Sequence, residues 1–305
     1  MKHESNVIRL KDRRRDKADM SEPKVSASKI SESKIGALKR EEESPPPLRP
    51  GVSPEDAATW PARWAAMAQR IERVEGEASL AGLMDRLSQP AEPMVLAFVN
   101  AHAMNSVASS PAFFHLLAGA DTLLRDGSGM ATLFKMLGVA PGLNLNGTDL
   151  IPELLARFNG RSIAFFGTSE PYLTRGVAAA LRLVPASTWA QADGFRANAD
   201  YEALAELHRP ALIVLGMGMP RQEEVAAALR VHLTHPCLIV CGGAIIDFLG
   251  GKTPRAPAIV RSAGLEWMWR LAQEPRRLFQ RYVIGNPLFI ARAWRVARRV
   301  RRAVR

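Results

Sequence analysis

The sequence predicts an α/β fold: a mostly parallel sheet with helices on both faces, followed by a helical, basic C-terminal appendage. Three observations predict it. Short apolar runs alternate with stretches of helical period between residues 94 and 240. The runs are apolar without interruption, as strands buried on both faces require. Glycine stands at four of the five run ends, where an α/β sheet places its ligand.

The elements follow in order. Residues 1–58 are rich in Lys, Ser and Glu and end in Pro45-Pro46-Pro47 before the first apolar stretch, so they read as a disordered mixed-charge tail and Pro-rich linker. Residues 59–251 form the α/β domain. It opens with helical periodicity from Trp60 to about Leu87. Strands are expected at 94–99, 122–124, 162–166, 211–215 and 236–240. Helices are expected near 103–118, 129–138, 149–158, 171–183, 200–208 and 221–231. The arrangement is Rossmann-like. Residues 252–305 form the appendage. It carries 14 basic and two acidic side chains, a surplus larger than the +11 of the whole chain.

That charge points to phosphate groups or an anionic surface. If residues 287–304 are helical, Phe289, Ala293, Ala297, Val300 and Val304 line one stripe, flanked by Arg292, Arg295, Arg299 and Arg302 with Trp294 alongside. Such a helix can lie in an anionic membrane surface, or pack on its own core with solvated arginines. Nucleic acid is excluded as a partner, since no recognisable binding module or aromatic stacking pattern is present. No secretory signal opens the chain, and no run reaches the length of a membrane span. Cys237 and Cys241, the only cysteines, fall on one face of a strand as core thiols. The six histidines form no metal-binding cluster.

The loops after the strands carry the candidate chemistry. They contain Asn100; Asp126-Gly127; Gly167; Gly216-x-Gly218-x-Pro220-x-Gln222-Glu223; and Gly242-Gly243-Ala244. Glycines there let a ligand approach the backbone, and helix N-termini suit phosphate, so the set reads as a nucleotide or nucleotide-sugar cleft. Gly216 and Gly218 also fit as plain turn glycines. A dinucleotide fingerprint is absent, because Arg221 stands where its third glycine belongs. Asp126 fits either a general base at the cleft floor or an N-cap for the helix beginning near Ser128. Asp149, after Gly147-Thr148, fits a helix cap or a ligand contact.

All of these but Gly167, with Asp247-Phe248, Arg255-Ala256-Pro257, Gly264-Leu265-Glu266-Trp267, Arg270, Glu274-Pro275-Arg276-Arg277, Arg281-Tyr282 and Asn286-Pro287, resemble the WecG/TagA/CpsF glycosyltransferase family over roughly residues 80–295. The resemblance implies an inverting transfer, independent of metal or cofactor, from a UDP-sugar of N-acetylhexosamine or uronic acid type. The acceptor would be a polyprenyl-diphosphate-linked sugar, in bacterial surface or exopolysaccharide synthesis. It implies a cytoplasmic protein peripheral at the inner face of the plasma membrane. By similarity Asp126 is the base, and Asn100, Gly127, Thr148, Asp149, Gly216, Gly218, Gln222, Glu223, Gly242 and Gly243 contact substrate. Arg255, Arg270 and Arg277 would balance the leaving-group charge. An oligomer in which one subunit's appendage closes another's cleft is compatible with the chain, and no residue requires it. In one departure, Phe98 replaces the threonine that family members commonly carry two residues before Asn100. A catalytically inactive, membrane-peripheral nucleotide-sugar-binding protein is the alternative function.

Overall fold

The computed structural model describes residues 53–257, 259–260 and 264–303. The chain divides into two compact units, Met1–Glu43 and Ser44–Arg305, and every described residue belongs to the second. The expected tail lies outside the described residues as far as residue 52. Within its expected span, Pro54–Ala58 forms a short helix capped by Ser53.

Seven parallel strands form one sheet: β1 (Ile71–Glu72), β2 (Pro93–Val99), β3 (Thr122–Arg125), β4 (Ile163–Gly167), β5 (Trp189–Ala192), β6 (Leu212–Gly216) and β7 (Cys237–Cys241). Their spatial order is β1-β3-β2-β7-β6-β4-β5. The five expected strands all form, each within one residue of its expected bounds, and β1 and β5 are additional.

Side chains alternate across the sheet, as the strand period of two requires. Val95, Ala97, Val99, Ile213, Leu215, Cys237 and Cys241 enter one core, while Leu96, Phe98, Phe165, Val214 and Val240 enter the other. Both cysteines are therefore free and buried on the same face. Burial on both faces explains why β2, β4, β6 and β7 are apolar at every position.

The helix expected near 103–118 is two helices, Ala101–Ser109 and Pro111–Ala118. Pro111 forces Ser110 out of the helical region, and Ser110 then caps the second helix through Phe113 N–H.

β4 leads outward to β5, whereas its neighbour β6 leads inward to β7. The ends of β4 and β6 therefore flank a topological switch point, where α/β sheets place ligands.

The C-terminal helix, Gly285–Ala303, packs on the first core. Phe289 is 1% exposed, Ala293, Val296 and Ala297 are buried, and the Phe289 ring lies 5.3 Å from that of Trp64. Arg292 and Arg301 donate to backbone carbonyls of Asn105 and Met136. Of the two placements open to this stripe, Phe289, Ala293 and Ala297 take the one against the protein's own core, while Val300 stays 40% exposed. Val304 lies outside the described residues. Among the described residues no helix is long and apolar enough to cross a membrane.

Candidate active site

Asp126 is the first residue beyond β3. Its N–H donates to the Val99 carbonyl at 2.9 Å, fastening the end of β3 to that of β2. Register pairs Val99 with Arg125, so the next residues, Asn100 and Asp126, stand side by side. Asn100 serves two partners: its Oδ1 accepts from Ala103 N–H, capping helix Ala101–Ser109, and its Nδ2 donates to Asp126 Oδ2 at 3.2 Å. The capping alternative for Asp126 is removed, because Gly127 occupies the N-cap of helix Ser128–Met136 without a side-chain bond. Gly127 N–H donates to Asn144 Oδ1 at 2.7 Å.

Burial raises the Asp126 carboxyl above the ordinary carboxylate range, opposed by the Asn100 hydrogen bond and the charges of Arg281, Arg270 and Arg125. A carboxylate raised in this way binds a proton more tightly than an ordinary one and is suited to accept one. Burial, reinforced by Arg281, pushes His102 down to about 4, so its imidazole is neutral at physiological pH. The Glu266 carboxyl is raised by burial and feels both Arg255 and Asp126.

The Nε atoms of Arg255, Arg270 and Arg281 are buried and make no hydrogen bond among the described residues. A buried donor left without an acceptor costs about 1–3 kcal/mol, and an anion reaching these three groups would supply one. Arg255 also forms an ion pair with Asp149. Asp149 is not the helix cap: Asn146 caps helix Gly147–Ala156 by accepting from Asp149 N–H. Thr148 is the second residue of that helix, half-buried. Arg277 is placed differently from the other two expected arginines. It is largely exposed and paired with Glu274, with Asp247 among the charges acting on it.

A second polar group sits at the end of β4, where the Thr168 hydroxyl bonds to Asp247 and Lys252 Nζ lies 3.2 Å from the Asp247 carboxylate. Arg270 reaches toward it, its guanidinium carbon 5.4 Å from the Phe248 ring centroid.

The strand-end glycines divide by role. A Cβ on Gly216 would meet Ile246 at 2.7 Å, and one on Gly242 would meet Ile245 at 2.6 Å, so both are small because helix Ile245–Leu249 packs on them. Gly127, Gly218 and Gly243 adopt positive φ with open space beside them.

Gln222 and Glu223, expected as direct substrate contacts, are only 2% and 3% exposed. Gln222 Oε1 accepts from Gly243 N–H at 2.8 Å, and its Nε2 donates to Glu223 Oε1 at 2.8 Å. They brace the Gly242-Gly243 turn from beneath. The helix Arg221–His232 carries them on its inward face, and the sequence motif records the residues without their direction.

Burial lifts Glu223 from 4.5 to about 7. A raised carboxyl binds its proton more tightly in the folded state. The stability it contributes is therefore present below about pH 4.5 and is lost as pH rises to about 7, by about 3 kcal/mol. Glu223→Gln keeps an acceptor for Gln222 and removes that dependence. Urea midpoints measured from pH 5 to pH 8 are expected to converge on a flatter line for the variant, with higher stability than the parent at pH 8. A parallel pair of pH curves would contradict the assignment.

Sequence reasoning left out Arg281, Glu266 and Asn144 as site residues and left His102 unassigned. Arg281 and Glu266 stood in the quoted motifs, but no periodic signal told which appendage side chains turn toward Asp126. Phe98 is buried in the second core with its ring against Gly147, so an apolar ring underlies the start of helix Gly147–Ala156. Among the described residues no group of three or more His, Cys, Asp or Glu stands together to hold a metal ion.

The model of the Glycosyl transferase WecG/TagA/CpsF family matches residues 65–303. The chain is also similar to proteins named N-acetylglucosaminyldiphosphoundecaprenol N-acetyl-beta-D-mannosaminyltransferase. That of Staphylococcus aureus strain MW2 is 23% identical over 220 residues, covering 71% of this chain and 85% of that protein. That of strain MRSA252 is 24% identical over the same shares.

Proposed function

The chain belongs to the WecG/TagA/CpsF family of glycosyltransferases, and from that premise we propose that it is an inverting enzyme moving a sugar from a UDP-sugar to a polyprenyl-diphosphate-linked sugar. The observation that carries this reading is the placement of Asp126 among buried, unpartnered guanidinium Nε atoms. One group accepts a proton, and its neighbours receive an anion. Such a pairing fits a sugar transfer in which a diphosphate departs.

In this mechanism Asp126 removes the proton from the acceptor hydroxyl as that oxygen attacks the anomeric carbon. The bond to the UDP oxygen breaks on the opposite face, and Arg255, Arg270 and Arg281 take up the charge that develops on the diphosphate. Asn100 holds the Asp126 carboxylate in its orientation. His102, neutral at working pH, contributes hydrogen bonding rather than charge. Gly218 and Gly243 leave space for the nucleotide, and Gln222 with Glu223 keeps the Gly243 turn in place. No protein-bound metal enters the scheme. The donor sugar is of N-acetylhexosamine or uronic acid type, and the product serves bacterial surface or exopolysaccharide synthesis.

The reaction stereochemistry tests this directly. Proton NMR of the product formed with a chelator present is expected to show inversion at the transferred anomeric carbon. Retention would contradict direct displacement with Asp126 as base.

On this reading the enzyme works at the inner face of the plasma membrane, where a UDP-sugar and a lipid-linked acceptor can meet. Arg295, Arg298, Arg299, Arg301 and Arg302 are exposed on the C-terminal helix, and each basic group near an anionic surface contributes about 1 kcal/mol. Truncating this helix would strip Phe289, Ala293, Val296 and Ala297 from the core, so charge reversal is the cleaner test. The triple change Arg298→Glu, Arg299→Glu, Arg302→Glu is expected to abolish co-sedimentation with anionic vesicles. Undiminished binding would contradict the contact.

A further inference from the structure

An open apolar groove runs between helix Glu266–Gln273 and helix Gly285–Ala303, with a volume of about 1190 Å³. Trp267, Leu271, Val283, Ile290 and Trp294 wall it. Trp294 is 55% exposed, and Met268, Val283 and Ile290 are each at least 40% exposed. A contiguous apolar surface of this kind is rare unless it meets a partner.

The groove and the catalytic cleft are carried by the same segments. On helix Glu266–Gln273, Glu266 and Arg270, one turn apart, are electrostatically coupled to Asp126, while Trp267 and Leu271, also one turn apart, line the groove. Arg281 acts on Asp126, while the next two residues, Tyr282 and Val283, line the groove. The Trp267 and Tyr282 ring centroids lie 6.0 Å apart, and the Arg281 guanidinium carbon lies 5.4 Å from the Tyr282 centroid. Groove wall and cationic cleft are thus in contact.

We propose that the groove receives the isoprenoid chain of the lipid-linked acceptor while the acceptor's sugar reaches Asp126 past Tyr282; this rests on the acceptor class proposed above. The ligand that needs an apolar channel against a cationic cleft is one molecule with an apolar chain and an anionic, sugar-bearing head. The groove is concave, which suits a single chain, whereas a bilayer plane is met by a convex apolar face. A second copy of the protein would bring Arg295, Arg298 and Arg299 against the same charges, because a two-fold contact pairs like patches.

The test uses the full chain with the double change Met268→Gln, Ile290→Gln, both at exposed positions that leave the cores intact. Geranylgeranyl diphosphate and isopentenyl diphosphate serve as probes, read by the fluorescence of the indoles that include Trp267 and Trp294, so no transfer is needed. Each buried methylene contributes roughly fourfold in affinity. The longer probe is therefore expected to bind the parent at least a hundredfold more tightly than the shorter one, and the double variant is expected to lose most of that ratio while its circular dichroism and UDP affinity match the parent.

Equal affinity of the parent for both probes would overturn the proposal. So would a variant that keeps the ratio but no longer binds vesicles, which would assign the groove to the bilayer surface. A variant that keeps the ratio but changes from dimer to monomer in sedimentation would assign it to a second copy. Chain-length dependence without any acceptor-dependent transfer would uphold the groove and count against the proposed reaction instead.

Discussion

Asp126→Asn is expected to lower acceptor-dependent transfer by about 10²–10⁴-fold, the usual contribution of a positioned general base, while leaving the protein folded and able to bind donor. The amide has the shape of the carboxyl and still offers an oxygen to Asn100 Nδ2. It cannot accept the acceptor's proton. Folding is not threatened, because burial already disfavours the ionised carboxylate. The folded-state carboxyl is raised, so whatever stability its protonated form contributes is lost as pH rises through the folded value. A neutral amide avoids that loss, and the urea midpoint of Asp126→Asn at pH 8 is expected to equal or exceed that of the parent. Steady-state rates and denaturation together decide the matter: a folded variant with undiminished turnover would end the assignment of Asp126 as base and favour a catalytically inactive binding role for the cleft.

Arg281→Gln is expected to have the next largest effect, with a twofold signature. Loss of one donor to developing negative charge lowers the rate by about 10²–10³-fold. The pH profile should move as well. Arg281 is among the charges that hold Asp126 down and among those that hold His102 down. Removing it lets both rise. A base must be ionised to work, so the acid limb of kcat/KM is displaced to higher pH. A limb that stays in place, or moves to lower pH, would show that the titrating group is not coupled to Arg281. Arg281→Lys separates charge from geometry: it keeps the limb near its original position but gives up the planar fork, and so restores the profile without the full rate.

Much of the sheet was legible because uninterrupted apolar runs of strand length have few other uses, and 94–99, 211–215 and 236–240 each announced themselves. β1 is two residues long and sits between helices, where helical periodicity runs over it. β5 reads Trp-Ala-Gln-Ala, with its Trp half exposed, because an edge strand need not be apolar at each position. The break at Ser110-Pro111 was visible in principle, since proline restricts the residue before it.

In the site, Asp126 and Asn100 were legible from their positions just past strand ends, which the sheet register then brought together. Direction was not. Gln222 and Glu223 stand in a motif that suits ligand contact, yet the first turn of their helix rolls them under the Gly243 turn. The C-terminal arginines posed the same problem on a larger scale: amphipathic spacing defines a face, but only tertiary packing decides whether that face meets solvent, lipid or the protein's own core. Phe289, Ala293 and Ala297 met the core. The apolar groove on the other side arises from two segments separated in the chain and has no periodic signal of its own.

The central claim is transfer from a nucleotide-sugar to a lipid-linked sugar at the Asp126 cleft. It is tested most directly by UDP release from purified protein in mild detergent, using a panel of UDP-sugars, with and without a polyprenyl-diphosphate-linked sugar, in the presence of a chelator. The expected result is release that depends on the acceptor, occurs with one donor of the panel, and disappears with Asp126→Asn. Release that is independent of acceptor, or that persists at the parental rate in Asp126→Asn, would contradict it.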